Sequence, residues 1–197
     1  MSNDGRALSI DEFIDSLRPQ NCIVQPLLED CAALQTFETT ALSSLRLVTA
    51  RGTTIPSTVV AASISLAFGA SSLTGHSGAQ CGIDVENGII VAVRGVDDET
   101  RDRLVGFALP YWGECVILAC GAHDQAFSAF ATLGWDLALT ADGPILLETN
   151  VGWNMTEHQK LTGPLGKTVF SGIIDELLAP AGAGRYPADH PLKPASR

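Results

Sequence analysis

Three oxygen-bearing side chains cluster in the segment GWDLALTADGPILLETN, residues 134–150: Asp136, Glu148 and Asn150. If Ala141, Asp142 and Gly143 form a three-residue loop with Gly143 left-handed, Thr140 pairs with Pro144. Counting outward then sets Asp136 opposite Glu148, and Asn150, two residues on, shares their face. The other face carries Trp135, Leu137, Leu139, Ile145 and Leu147, an apolar set suited to a core. A loop of two or four residues would break this pairing. Two carboxylates facing each other repel, and a divalent cation removes that cost. Oxygen-only donors favour Mg²⁺ or Mn²⁺ over zinc or copper, and Mg²⁺ held by one or two carboxylates completes its shell with water and substrate phosphates. The competing interpretation is a solvent-facing hairpin whose charges simply stay wet.

Arg46 lies at strand spacing among apolar neighbours in SLRLVT, so an inward-facing guanidinium there needs an anionic partner, either a ligand or a neighbouring carboxylate. His123 falls on the apolar face of a helical stretch and reads as a core histidine with its bonds satisfied. His76 and His158 have no partner identifiable from spacing. Trp112 and Trp135 read as core. No Ser/His/Asp or Cys/His nucleophile arrangement emerges.

These residues need elements to hold them. Ser9 and Glu12 form a capping-box pattern ahead of Ile10, Phe13, Ile14 and Leu17 at helical spacing, ending before Pro19. Cys22 to Leu28 suits a short buried strand. Leu45–Ala50 and Ser57–Ala67 read as two more strands, followed by a Gly/Ser/Ala-rich loop over 69–82. From Ile83 a hairpin is expected, turning at Asn87-Gly88. Pro110 opens a helix with Val116, Cys120, His123, Phe127 and Phe130 on one face. The 134–150 hairpin, a polar loop and a helix over Val169–Leu178 follow. Most links between strands are short, so the class is α+β with a mainly antiparallel sheet. Residues 1–180 form the domain, and the Gly/Pro-rich 181–197 read as a flexible tail.

Across its 197 residues, 12 Lys+Arg stand against 22 Asp+Glu, a net charge of −10. That balance disfavours nucleic acid or an anionic membrane as main partner. Neither a signal peptide nor an apolar run long enough to span a bilayer is visible. Five cysteines without CxxC spacing fit reduced thiols in a cytoplasmic protein.

GWDLAL…DGPILLETN resembles the magnesium hairpin of ATP-grasp enzymes, in which an Asp, a Glu and an Asn two residues later hold the metals. Several other stretches, in order, are similar to the sugar-transfer-associated branch related to α-L-glutamate ligases. CIVQPLLED resembles the hinge strand under adenine. This implies that Gln25, Pro26 and Leu27 contact the base and Glu29 or Asp30 the ribose. SLRLVT resembles the strand whose arginine, here Arg46, meets phosphate or an acyl-phosphate. The 75–82 loop with IDVENGII, the LPYW…AH…LGWD lead-in and the His158-Gln159 pair also match. Ser77 and Cys81 depart from the family's Asn-x-x-x-Gly-Gly, and no lysine-bearing strand precedes Gln25. The resemblance therefore covers the C-terminal part of the fold, with Ser77 and Gly78 near an acceptor pocket. It implies a ligase that uses ATP and Mg²⁺ to join a carboxylate to an amine through an acyl-phosphate, in cell-surface glycan or amino-acid conjugation. It also implies a chain lacking the N-terminal half, as a truncated gene product, a decayed relative, or half of a split protein that a separate chain completes. The rival expectation is a non-catalytic remnant or nucleotide-binding module.

Overall fold

The computed structural model describes residues 9–18, 25–68 and 78–179. The expectations for Cys22, His76, Ser77 and the 181–197 tail lie outside these residues. Helix α1 (Ile10–Leu17) has the capping box read from the sequence: Glu12 N–H donates to Ser9 Oγ, and Ser9 N–H donates to the Glu12 carboxylate. Residues 25–31 follow as irregular chain, where a strand over Cys22–Leu28 was expected. The described part of that run, 25–28, joins no ladder, and its apolar Leu27 is 89% exposed. A single turn, α2 (Ala32–Gln35), leads into β1 (Ser44–Ala50) and β2 (Thr58–Leu66).

The Gly-rich stretch does not remain a loop throughout, since Ala79–Ile83 form β3, which pairs with β4 (Ile90–Arg94). Their turn is longer than the expected Asn87-Gly88 pair. Asp84 fixes it with a backbone bond from Gly88 N–H and carboxylate bonds from Glu86 N–H and the Asn87 amide. Side-chain capture by an aspartate competes here with the two-residue hairpin. Helices α3 (Asp98–Leu104) and α4 (Trp112–Ala126) precede β5 (Thr132–Thr140) and β6 (Gly143–Asn150). The segment expected as a polar loop then holds α5 (Met155–Thr162), whose N-cap Asn154 accepts from Glu157 N–H. A short 3₁₀ turn at Leu165–Lys167 and α6 (Val169–Leu178) complete the described chain.

All neighbouring strands run antiparallel in one sheet of order β4-β3-β2-β1-β5-β6. One face carries the larger core, in which Leu45, Leu47, Ile64, Cys81, Trp135 and Leu137 meet Cys115 and Ala119 of α4. The buried stripe of α4 is Cys115, Ala119 and His123, and Phe130 lies beyond the helix, 43% exposed. On the same face Trp135 Nε1–H donates to Thr49 Oγ1 (2.7 Å) and Thr49 pairs with His123 Nδ1 (2.7 Å). His123 Nε2 meets the Phe130 carbonyl at 3.0 Å. A carbonyl only accepts, so Nε2 carries the hydrogen and Nδ1 receives the threonine hydroxyl proton. Burial lowers the His123 pKa and keeps the ring neutral, as befits a satisfied core histidine. The opposite face has a smaller core of Val48, Ala50, Val60 and Ala61 under Leu165, Phe170 and Ile173. No helix among the described residues is long and apolar enough to cross a membrane.

Candidate functional site

The β5–β6 hairpin reaches the expected pairing by a different route. Thr140 pairs with Gly143, so the turn has only Ala141 and Asp142 at its tip. Leu139 pairs with Pro144, Ala138 with Ile145 and Leu137 with Leu146, after which the register shifts and Asp136 faces Glu148. Leu147 is the extra residue, a β-bulge that makes up the position the shorter turn lost. The bulge also corrects the expected core. Leu146 packs on the large core, while Ile145 and Leu147 are 39% and 44% exposed, because a two-residue turn reverses the faces of the hairpin tip.

The register continues across the sheet. Glu148 (β6) lies opposite Asp136 (β5), Asp136 opposite Arg46 (β1), Arg46 opposite Ser63 (β2), Ser63 opposite Gly82 (β3) and Gly82 opposite Ala92 (β4). This transverse row sits on the face opposite the large core. A second row beside it runs Ser44, Ser65, Gln80, Arg94. Sequence inspection finds the acid–acid pair, because both residues belong to one hairpin. It misses the rest of the row, which depends on pairing between strands far apart in the chain.

Arg46 lies against Asp136 in a two-point ion pair. Its Nε donates to Oδ1, and Nη2 donates to Oδ2 at 2.7 Å. Of the two partners foreseen for this arginine, the structure contains the neighbouring carboxylate. Among the described residues Nη1 makes no hydrogen bond. Gly134 makes the arrangement possible, since a β-carbon there would lie 3.2 Å from Arg46 Nη1 and 3.0 Å from Trp153 Cβ. Asp136 is 8% exposed. Burial raises its pKa, the Arg46 guanidinium pulls it back, and the Glu148 carboxylate raises it again. Glu148 stands in solvent with its pKa lowered, chiefly by the Asn150 amide, whose Nδ2 donates to Oε1 at 2.9 Å.

A cation fits this donor set. Asp136 and Glu148 hold each other at like-charge proximity, which raises the proton affinity of the buried member, and a metal would stand in for that proton. The Arg46 bonds use one lone pair on each Asp136 oxygen and leave others. Asn150 binds Glu148 through nitrogen, so its Oδ1 remains a donor. No group of three or more His, Cys, Asp or Glu side chains among the described residues is placed to hold a metal. The set is therefore two carboxylates and an amide oxygen, the hard-donor type that suits Mg²⁺.

The residues expected at a nucleotide hinge are not among those paired with the acid cluster. Gln25, Pro26, Leu27 and Glu29 are exposed. Cys31 N–H donates to the Leu139 carbonyl at 2.7 Å, tying their segment to the tip end of β5. Asp30 is taken up internally by Ser43 N–H (3.0 Å), Ser43 Oγ (2.6 Å) and Thr39 Oγ1 (3.1 Å). A groove of about 340 Å³ runs along this segment, lined by Leu27, Leu28, Glu29, Thr40 and Leu42. His158, left without a role by its spacing, is 5% exposed on α5, its buried Nδ1 without a hydrogen-bond partner among the described residues and its ring edge-on to Trp153. Burial, reinforced by the Arg46 charge, pushes its pKa down to about 4.

A model of the family described as sugar-transfer associated ATP-grasp matches residues 12–164. No curated protein and no solved structure matches the chain.

Proposed function

We infer the function from one premise: the chain belongs to the sugar-transfer associated ATP-grasp family, with which its antiparallel α+β sheet is consistent and whose general business is nucleotide binding. From that premise we propose that it binds Mg·ATP along the β5–β6 hairpin and acts in an ATP-dependent ligation. In this reaction a carboxylate takes the γ-phosphoryl group as ADP leaves, and an amine attacks the resulting acyl-phosphate, forming an amide and expelling inorganic phosphate and a proton. The observation that carries this reading is the direct pairing of Asp136 with Glu148 beside Asn150 and Arg46 on an open sheet face.

Asp136, Glu148 and Asn150 would hold Mg²⁺ (Mn²⁺ has the same donor preferences), which neutralises charge on the transferring phosphoryl group. The chain itself supplies position. Asp136 fixes the Arg46 guanidinium through Nε and Nη2, leaving Nη1 to donate to a phosphoryl or acyl-phosphate oxygen. Gln25, Pro26 and Leu27 would receive the base and Glu29 the ribose, in the groove that Cys31 anchors to Leu139. Leu139 lies three residues from Asp136 along β5, about 10 Å. That separation suits a nucleotide with its base at the tip of the hairpin and its phosphates at the acid pair. We take the substrates to be a small carboxylate and an amine from cell-surface glycan or amino-acid conjugation. The opposing wall of the phosphate site would come from a separate polypeptide.

A second reading, nucleotide binding without turnover, draws on one observation. Arg46 and Arg94 are the cations lining the cleft beside the hairpin, while the Lys160 ammonium is paired with Glu157. Calorimetry with Mg·ATP, run beside a phosphate-release assay, separates the two. Nucleotide binding that needs Mg²⁺ and Glu148 supports the site. Binding that survives Glu148→Ala unchanged sinks it. Binding without release, even with carboxylate and amine supplied, selects the second reading.

A further inference from the structure

Beside the metal hairpin, on the same face, a cleft of about 420 Å³ is lined by Arg46, Ser63, Gln80, Arg94, Glu157 and His158. Its floor is made of small or uncharged side chains. Ser63 and Gly82 continue the row of Arg46, and Ser65 Oγ donates to Gln80 Oε1 at 2.9 Å, fixing that amide. Arg46 and Arg94 stand on β1 and β4, three strand spacings and one row apart, which sets their backbones about 16 Å from each other. Helix α5 forms the remaining wall. It comes close because Gly82 has no side chain, a β-carbon there falling 2.7 Å from Thr162 Cγ2.

The two arginines differ in their partners. Arg46 is matched by Asp136. Arg94 makes no ion pair among the described residues and donates through Nη2 to the Lys160 carbonyl at 2.5 Å, an uncharged acceptor. Glu157, the nearby carboxylate, is joined to the Lys160 ammonium at 2.7 Å. In a protein of net charge −10, Arg94 thus keeps its charge at the edge of a polar cleft. Into the same cleft wall is built His158, ninety-five per cent buried, with a ring nitrogen that nothing in the described structure satisfies. A buried polar atom without a partner costs stability unless a ligand meets it. As the Nδ1–H tautomer the ring donates, like Arg94, to an oxyanion.

We propose that this cleft seats the non-nucleotide substrate of the site described above, and that Arg94 and His158 hold an oxyanion, carboxylate or phosphate, that the substrate carries besides its reacting group. The inference rests on the Mg·ATP reading only for the word substrate, since the anion site itself stands on the cleft. The substrate class is therefore a compound with two acidic groups, one at Arg46 and one at Arg94, rather than a simple monocarboxylate.

The test uses the full chain labelled with ¹⁵N, following the Arg94 Nε–H and His158 ring resonances. Glutarate, butyrate and inorganic phosphate are titrated separately, each with and without saturating Mg·ADP. Glutarate or phosphate is expected to shift both residues, with butyrate at least tenfold weaker. A response to glutarate identifies the second group as a carboxylate, and a response to phosphate alone identifies a phosphoryl group. Arg94→Gln is expected to weaken that binding at least tenfold and Arg94→Lys much less, with Mg·ADP affinity unchanged in both. Butyrate binding as well as the dianions, shifts mapping away from Arg94 and His158, or displacement of the anion by Mg·ADP would each overturn the proposal. Mg·ADP affinity is read by calorimetry in the same samples. A failure of nucleotide binding is thereby distinguished from a failure of the anion site.

Discussion

Asp136 answers to opposing influences: burial and Glu148 favour its protonated form, while Arg46 favours the carboxylate. Removing Glu148 relieves one of these and deletes a donor of the proposed metal site. Glu148→Ala is accordingly expected to weaken Mg²⁺-dependent nucleotide binding by at least about tenfold while moving the unfolding midpoint little. Calorimetry and urea unfolding check the two halves of that statement. His158 gives a pH signature of the opposite sort. Its folded pKa, about 4, lies below the ordinary histidine value of 6.5, so the unfolded chain takes up a proton that the folded chain refuses. Stability is then full above pH 6.5 and falls as pH drops toward 4, by up to about 3 kcal/mol. His158→Leu is expected to flatten that slope, as read by urea unfolding at stepped pH, while the smaller share of the buried His123 remains. A slope unchanged in the variant would show that His158 does not titrate as its burial requires. At this scale the sequence made the acid pair legible because both acids belong to one hairpin, and the core histidine because it falls on the apolar face of its own helix, although its Thr49 partner lies far away in the chain. The Arg46 partner stayed open, since a long side chain in a strand does not reveal which adjacent strand supplies its acid.

The elements show where local signals suffice. The capping box at Ser9 and Glu12 placed α1, and strand propensity placed β1 and β2 within a residue or so. Helix α3, reading DETRDRL, is polar nearly all round with a single buried Leu104, so periodicity gave no sign of it. Helix α5 is short and buries His158 rather than an apolar stripe, and it too looked like loop. Yet α5 closes the cleft, and Gly82 is what admits it. Gly82→Ala would drive a methyl group to 2.7 Å from Thr162 Cγ2 and 3.0 Å from Leu161 Cβ. A cost of about 1–3 kcal/mol is expected, with faster amide exchange in α5 than in α4. Wild-type stability in that variant would mean that the helix seats itself without the glycine.

For the molecule as a whole, charge and shape combine. The sheet keeps its apolar side chains on one face under α4 and on one end of the other face under α6, while α5 covers the Gly82 end of the transverse polar row and leaves its Glu148 end exposed. Beside the acid pair the described residues offer a triphosphate the Arg46 guanidinium, already committed to Asp136, on a protein of net charge −10. Each charge-assisted bond is worth about 1.5–3 kcal/mol, one to two decades of affinity. This chain alone is therefore expected to bind Mg·ATP no better than about millimolar. Micromolar affinity by calorimetry, with the chain monomeric, would show that these residues suffice and that the proposed opposing polypeptide is dispensable. The α+β class and antiparallel sheet were readable from short turns. The order of the strands, which sets Arg94 beside the site, was not, because it is fixed by burial among distant segments.

The bulge at Leu147 has a consequence for which arrangements the hairpin can exchange. A two-residue turn with a bulge and a three-residue loop without one are alternative registers of the same tip, differing in whether Leu146 or the pair Ile145 and Leu147 turns toward the core. In both, counting ends with Glu148 opposite Asp136. The acid pair is thus a fixed point of the slippage. A shift of the tip from one register to the other, as a dislocation moves along a row, would leave Asp136 and Glu148 face to face.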